Sequence, residues 1–392
     1  MKKIFLILIL CSVVFLNAKT WVREYTYNAS EADSKLTSRA ISLEQVKRLL
    51  LQEIGVYVHS TILNEEVEVS GELRELTAKQ IEIISAGITE TKIIEENWNG
   101  ETYYIKAEIT ADENDVINRL DNVIADKEKT KQLEESRKRT EEALAEIKKL
   151  KQQLAQTKNV NEKLKIQKDY NVSSNQLTAE DWFQKGYNSA EIGEYDDAIL
   201  YYQKSIELYP YAEAYLNIGV IYADKGNYDK AIECFQKAIE INPDYAGAYY
   251  NMGRVHADKG YYIRAIRYWQ KAVKINPDYA DAFYNMGNAY VKENNYNKAI
   301  ESYQKAIEIN PDFADAYHNI GFVYNDKGNY DKAIECYQKA IEINPDYAKA
   351  YFSMGIAYHD GNIGKAFQLY EKAAILGNKE AQDYLRENGI SW

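Results

Sequence analysis

Between Ala246 and Pro277 the apolar residues fall in two short runs of helical spacing. Tyr249, Met252, Gly253 and His256 stand at i, i+3, i+4 and i+7, one face of a helix. Gly260 and Tyr261 interrupt the pattern. Ala265, Ile266, Trp269, Ala272 and Val273 then mark a second helix of the same period. Asn276-Pro277-Asp278 closes it, because proline lacks an N–H and pushes the preceding residue out of the helical region. The unit recurs. Glycines stand at 186, 219, 253, 287, 321 and 355, alanines at 198, 231, 265, 299, 333 and 366, and prolines at 210, 243, 277, 311 and 345. Those are all 5 prolines of the chain, so their placement is architectural. The small residues predict close approach of the paired helices at Gly253 and Ala265, with Tyr249 and Trp269 filling space between them.

One helical hairpin cannot bury its apolar face alone, but stacked copies can. Neighbouring units then meet almost the same surroundings, which explains why residues 227–246 and 329–348 differ only at Phe235 and Tyr337. The predicted fold is mainly α: a helical solenoid of six units at 179–211, 212–245, 246–279, 280–313, 314–347 and 348–376, with a capping helix in 377–392. In the cap, Ala381 and Leu385 turn inward. The fourth unit has Asn294 where the others place a turn glycine, and the sixth is one residue short near Gly361.

These units resemble tetratricopeptide repeats. An aromatic residue opens each first helix (Trp182, Tyr215, Tyr249, Phe283, Tyr317, Tyr351), and the glycine, alanine, ring and proline follow at the family spacing. The sixth unit leans toward the related Sel1-like pattern. The resemblance implies an interaction scaffold in which the outer face of the first helices lines a concave groove for a protein or peptide. On that face helical geometry places Gly247, Tyr250, Asn251, Arg254 and Asp258. Asn217, Asn251, Asn285 and Asn319 form a ladder of amides, each both donor and acceptor, suited to an extended backbone. Tyr250, Tyr284, His318 and Phe352 lie beside it, placed to pack partner side chains. The plain alternative is that the asparagines are only solvated. The family's other mode, a lysine clamp on a terminal carboxylate, has Leu216, Tyr250, Tyr284 and His318 where lysines are wanted.

Residues 19–120 read differently. "TWVREYTYNA" alternates as a strand. Leu36, Ala40, Leu43, Val46, Leu50, Ile54 and Val58 keep helical spacing, and "ELRELTAKQIEIISAG" is a second helix. "ITETKIIEENWNGETYYIKAEIT" is two strands joined at Asn97-Trp98-Asn99-Gly100. The sum is a small α/β domain, similar in order and phrasing to the N-terminal domain of flagellar assembly protein T and related envelope lipoprotein domains. That resemblance implies an assembly module and transfers no site residues. Residues 121–178 are basic and favour helix. Leu133, Ile147, Leu150, Leu154 and Leu164 fit a heptad, but Ser136, Thr140, Thr157 and Asn161 share its seam. Two readings stand: a spacer helix holding the array away from the small domain, or self-association through 121–168. "YNVSSNQLT" reads as a flexible joint before the first repeat.

Residues 1–18 place Lys2 and Lys3 before an apolar run from Ile4 to Leu16, then small Ala18, the form of a secretory signal peptide. The expected location is the periplasm or cell envelope, or outside the cell; an uncleaved anchor is the alternative. Lipid attachment at Cys11 is disfavoured by Leu10, where a small residue is wanted. Beyond that segment only Cys234 and Cys336 remain, three units apart, too far for a disulfide and suited to burial. The net charge of −12 does not invite nucleic acid. The four histidines are scattered, no cysteine pair has zinc spacing, and there is neither a phosphate loop nor a nucleophile elbow. The chemistry expected is therefore binding rather than catalysis, with no cofactor and no metal.

Overall fold

A computed structural model describes residues 18–63, 77–125, 127–359 and 361–390. The signal-like run at 1–17 lies outside them. The described residues form three strands and seventeen helices in two compact units, Met1–Ala214 and Tyr215–Trp392.

The first unit opens with β1 (Ala18–Asn28), α1 (Lys35–Leu63), α2 (Ala78–Ile88), β2 (Lys92–Trp98), β3 (Thr102–Asp112) and α3 (Glu113–Ala125). The strands make an antiparallel sheet in the order β1-β3-β2. The β2–β3 turn forms where the Asn-Gly signal predicts it. Gly100 takes φ +99°, and Asn99 Oδ1 accepts from the amides of Glu101 and Thr102 at 2.9 and 2.7 Å. Alternate residues of β3 (Tyr103, Ile105, Ala107, Ile109) point at Val46, Leu50, Ile54 and Val58 of α1 and are buried with them. Leu36, expected inside, is exposed because α1 has only just begun there.

The basic segment is not a free spacer. It forms α4 (Lys127–Gln156), reverses, and continues as α5 (Val160–Glu191). Leu133 joins the core of the small domain, while Ile147, Leu150 and Leu154 share a second core with Ile41 of α1 and Tyr170 and Leu177 of α5. Leu164 alone of the heptad set is exposed, at 66%. The stretch expected as a joint, "YNVSSNQLT", is uninterrupted helix inside α5. Its small Ser173 and Ser174 are buried, and Ser174 shares a hydrogen bond with Thr37 of α1 at 3.0 Å.

Asp33, at the entry to α1, ties the two halves of this unit together. Its carboxylate accepts from the amide and hydroxyl of Ser30 (2.6 and 2.7 Å), Lys151 of α4 (3.0 Å) and the Tyr170 hydroxyl of α5. Burial alone would raise its pKa, but these donors outweigh burial and hold it below the ordinary value. An aspartate with a depressed folded pKa stabilises above its unfolded pKa of about 4 and loses that contribution as pH falls through the folded value. Asp33→Asn is therefore expected to destabilise the chain more at pH 6 than at pH 3. Urea unfolding at both pH values reads the difference, and an equal loss at both would remove Asp33 from the acid response.

The repeats follow. α5 supplies the first helix of unit one and α6 (Tyr195–Leu208) the second. The later pairs are α7 and α8 (Ala212–Asp224, Tyr228–Ile241), α9 and α10 (Ala246–Asp258, Tyr262–Ile275), and α11 and α12 (Ala280–Lys292, Tyr296–Ile309). They continue with α13 and α14 (Ala314–Asp326, Tyr330–Ile343) and α15 and α16 (Ala348–Tyr358, Ile363–Ile375), and α17 (Lys379–Glu387) is the cap. Each Asn-Pro-Asp closes a helix by two means: proline stops it, and the asparagine side chain turns back, as Asn276 Oδ1 does to the Asp278 amide at 3.2 Å. The turn glycines Gly193, Gly226, Gly260 and Gly328 sit at positive φ, and Asn294 takes the same left-handed conformation at φ 54°. Asparagine tolerates that region best after glycine, so the substitution leaves the turn intact.

The recurring spacing of glycine and ring reflects the close approach of the paired helices. Gly253 lies under the indole of Trp269: a Cβ on it would come within 2.4 Å of Trp269 Nε1. Gly287 sits likewise under Tyr303 and Gly321 under Tyr337. Cys234 and Cys336 are free and half-buried, with thiol pKa pushed up to about 11 by burial and then by the adjacent glutamates.

Candidate protein-binding face

The first helices of the second unit carry the residues singled out for binding. The ladder amides are largely occupied by the array itself. Asn285 Nδ2 donates to the Tyr250 hydroxyl at 3.0 Å, and Asn319 Nδ2 to the Tyr284 hydroxyl at 3.1 Å, each reaching one repeat back. Asn251 donates to the Gly247 carbonyl and accepts from Arg254 at 3.1 Å. Asn217 is engaged as well. Tyr250 and Tyr284 are clamped from the other side by ring stacking on Tyr279 and Phe313, at 4.7 and 4.8 Å. Burial raises both phenol pKa values, so they stay neutral donors and acceptors.

His318 departs furthest from its expected role. It is 2% exposed and does not open onto the face. Its Nδ1 meets Asn319 Oδ1 and its Nε2 meets Ser353 Oγ, both at 3.1 Å. Asn319 Nδ2 also donates to Asn288 Oδ1 at 2.9 Å, which in turn accepts from Tyr303 at 2.7 Å. With both amide hydrogens committed, Asn319 Oδ1 must accept from a protonated Nδ1. The imidazole is thus a link in a polar chain across three repeats, and burial, then nearby Lys349, holds its pKa below the usual histidine value.

What remains open lies in the notches between repeats. One, of about 390 Å³, brings together Tyr250, Arg254 and Asn285 with Asp258, Asn288 and Lys292, over Trp269. Arg254 is held there by Asp224 at 3.5 Å as well as by Asn251. A second, of about 650 Å³, is lined by Phe352, Ile356, Tyr330, Ile334, Tyr358 and Tyr384. Two residues not anticipated are Phe322 and Ile356, which stay 47% and 45% exposed. They hold the place occupied by Val220, Arg254 and Asn288 in earlier repeats. That aligned column, which varies between apolar and polar along the array and carries large apolar residues in the last two of these repeats, was the signal available in the sequence. Among the described residues no group of His, Cys, Asp and Glu is placed to hold a metal ion, and no helix is long and apolar enough to cross a membrane.

Paired helices at this spacing, with glycine beneath a ring in every unit, define a tetratricopeptide solenoid. Tetratricopeptide-repeat family models match residues 180–211, 212–245 and 234–267, and a further TPR model matches 253–294, 287–328 and 323–362. A Sel1-repeat model matches 348–378, where the sixth unit shortens. The chain belongs to the tetratricopeptide-repeat family, and it is a repeat scaffold of the kind that mediates protein–protein interaction. Among solved structures it is similar to MamA at 34% identity, over 42% of this chain and 97% of that one, with a TM-score of 0.39. It is also similar to YrrB, described as a TPR protein with an unusual peptide-binding site, at 25% identity over 47% and 97% with a TM-score of 0.41. Pseudomonas aeruginosa PilF is similar at 17% identity over 54% of this chain and 99% of that one, with a TM-score of 0.48. No curated protein sequence matches the chain.

Proposed function

We propose that this chain is an exported scaffold whose first-helix face holds a protein or peptide partner during assembly in the cell envelope. The observation that carries the binding face is the exposure of Phe322 and Ile356 at equivalent places in successive repeats. Neither contributes its full apolar area to the solenoid core, and aligned exposed apolar side chains mark interaction surfaces. The polar notch at Arg254, Asn285 and Asn288 gives such a partner hydrogen-bonding groups further along the same face. Export is supported by the paired lysines and apolar run of residues 2–16.

Phe322→Asp with Ile356→Asp is expected to lower recovery of cross-linked partner from intact cells at least tenfold, with the melting temperature within about 2 °C, as for surface substitutions. Undiminished recovery removes the face from the reading. Mass spectrometry of the protein from fractionated cells tests export: a mature chain beginning at Lys19 supports it, and a retained Met1 in the cytoplasmic fraction does not. The rival reading is a structural component of an envelope assembly that oligomerises through its N-terminal domain and the coiled coil of 121–168; the coiled-coil part has less to support it, because Ile147, Leu150 and Leu154 of its seam are already covered by α1 and α5.

A further inference from the structure

The two edges of the N-terminal sheet differ. β2 is short, carries a bulge between Ile93 and Glu95, and presents Glu95 and Glu96. Bulges and charges of this kind discourage further pairing. β1 is eleven residues long, contains no proline, and keeps an unbroken register with β3 from Ala18 to Asn28. Its outer edge pairs with no strand among the described residues. Such an edge is a template for another chain.

Beside that edge runs an open groove of about 680 Å³. Tyr25 and Tyr27 of β1 form one wall, Ile41 and Arg48 of α1 the floor, and Leu144 and Lys148 of α4 the other wall. Its charge is one-sided. Glu141 is drawn to Arg137 at 3.4 Å, and Lys151 is bound to Asp33. Arg48 and Lys148 are exposed and make no ion pair among the described residues. Two uncompensated cations thus border apolar and aromatic surface on a chain of net charge −12.

We propose that an extended acidic segment of another protein adds to β1 as a fourth strand. An added strand lies about 4.8 Å from β1, and its side chains alternate, so every second one faces the groove about 7 Å from the last. At those groove-facing places aliphatic groups and carboxylates take turns, the aliphatic ones covering Tyr25, Tyr27 and Leu144 and the carboxylates meeting Arg48 and Lys148. A second copy's β1 fits this chemistry less well, since its one carboxylate, Glu24, already accepts from the Tyr104 hydroxyl and it also brings the cation Lys19.

The test is fluorescence anisotropy on the full chain with the labelled nonapeptide Thr-Val-Thr-Glu-Thr-Val-Thr-Glu-Thr. Binding is expected to weaken at least tenfold in the Arg48→Glu/Lys148→Glu variant, whose circular dichroism and melting temperature stay those of the parent because both sites are exposed. A peptide with lysine for glutamate, and one N-methylated at alternate residues to block strand pairing, are each expected to bind at least tenfold more weakly. The proposal is overturned if the acidic peptide does not bind, if either control binds as well, or if the variant binds undiminished. It is equally overturned if sedimentation shows a dimer that the variant dissolves, or if phosphatidylglycerol vesicles bind through these two cations while the peptide does not.

Discussion

Trp269→Ala is expected to destabilise the array by about 3–5 kcal/mol, the range for deleting a large buried ring. The indole is almost fully enclosed and donates from Nε1 to the Tyr250 carbonyl at 3.1 Å, so the substitution opens a cavity and removes a buried hydrogen bond. For a unit of this size such a loss lowers the melting temperature on the order of 10 °C. Gly253→Ala is the complementary change. It inserts a methyl group where Trp269 stands, an overpacking that costs roughly 1–3 kcal/mol, partly offset by alanine's better helix propensity. The two effects share one space. In the Gly253→Ala/Trp269→Ala double variant the added methyl group enters the vacated volume, so the total loss falls short of the sum by about 1 kcal/mol or more. Calorimetry of the four proteins measures the coupling. Strict additivity would show that glycine and ring do not contend for the same site.

Arg139→Ala is expected to cost about 3–5 kcal/mol in the first unit, because it leaves a buried carboxylate uncompensated. Arg139 donates to Glu180 at 2.9 and 3.4 Å and to Glu213 at 3.3 Å, and its guanidinium lies 4.9 Å from the Tyr211 ring centre. Glu180 is only 3% exposed and also accepts from Ser136. Arg139→Lys keeps the charge but loses the planar fork and the stacking, so it is expected to recover only part of the loss. Arg139→Met with Glu180→Leu removes both charges together and is expected to be more stable than Arg139→Ala alone. Urea unfolding followed at the three tryptophans of the first unit (Trp21, Trp98, Trp182) measures the series. A loss below about 1 kcal/mol for Arg139→Ala would show that water reaches Glu180 and solvates it.

The repeats could be read from the chain because their contacts are local. Gly253 meets Trp269 sixteen positions on, and every unit restates the pair, so periodicity exposes it. Asn294 was legible as a turn residue for the same reason. The basic segment was not legible, because the partners that explain it are distant. Ser136 looked like a defect in an apolar seam, yet Glu180, forty-four residues on, makes it a suitable donor. Ser173 and Ser174 looked like a joint, yet their small size lets α5 lie close on α1. On the candidate face, Tyr250, Arg254 and Asn285, which helical spacing put on the outer side of the first helices, line one notch. That spacing did not reveal that the amides reach back thirty-five residues to a tyrosine, since geometry between repeats decides that. His318 was misplaced because its burial depends on Tyr347 at the far end of its own unit and on Ser353 of the next.

α5 serves two masters: its first half packs on α1 and α4, and its second half is the opening helix of the first repeat. An expression boundary drawn between them would sever one rod and leave raw apolar flanks on both fragments. The same continuity biases how the gene can grow. Tandem duplication can insert new hairpins downstream, where each border is a proline turn, but the founding unit is welded to the head of the protein and cannot be copied out cleanly.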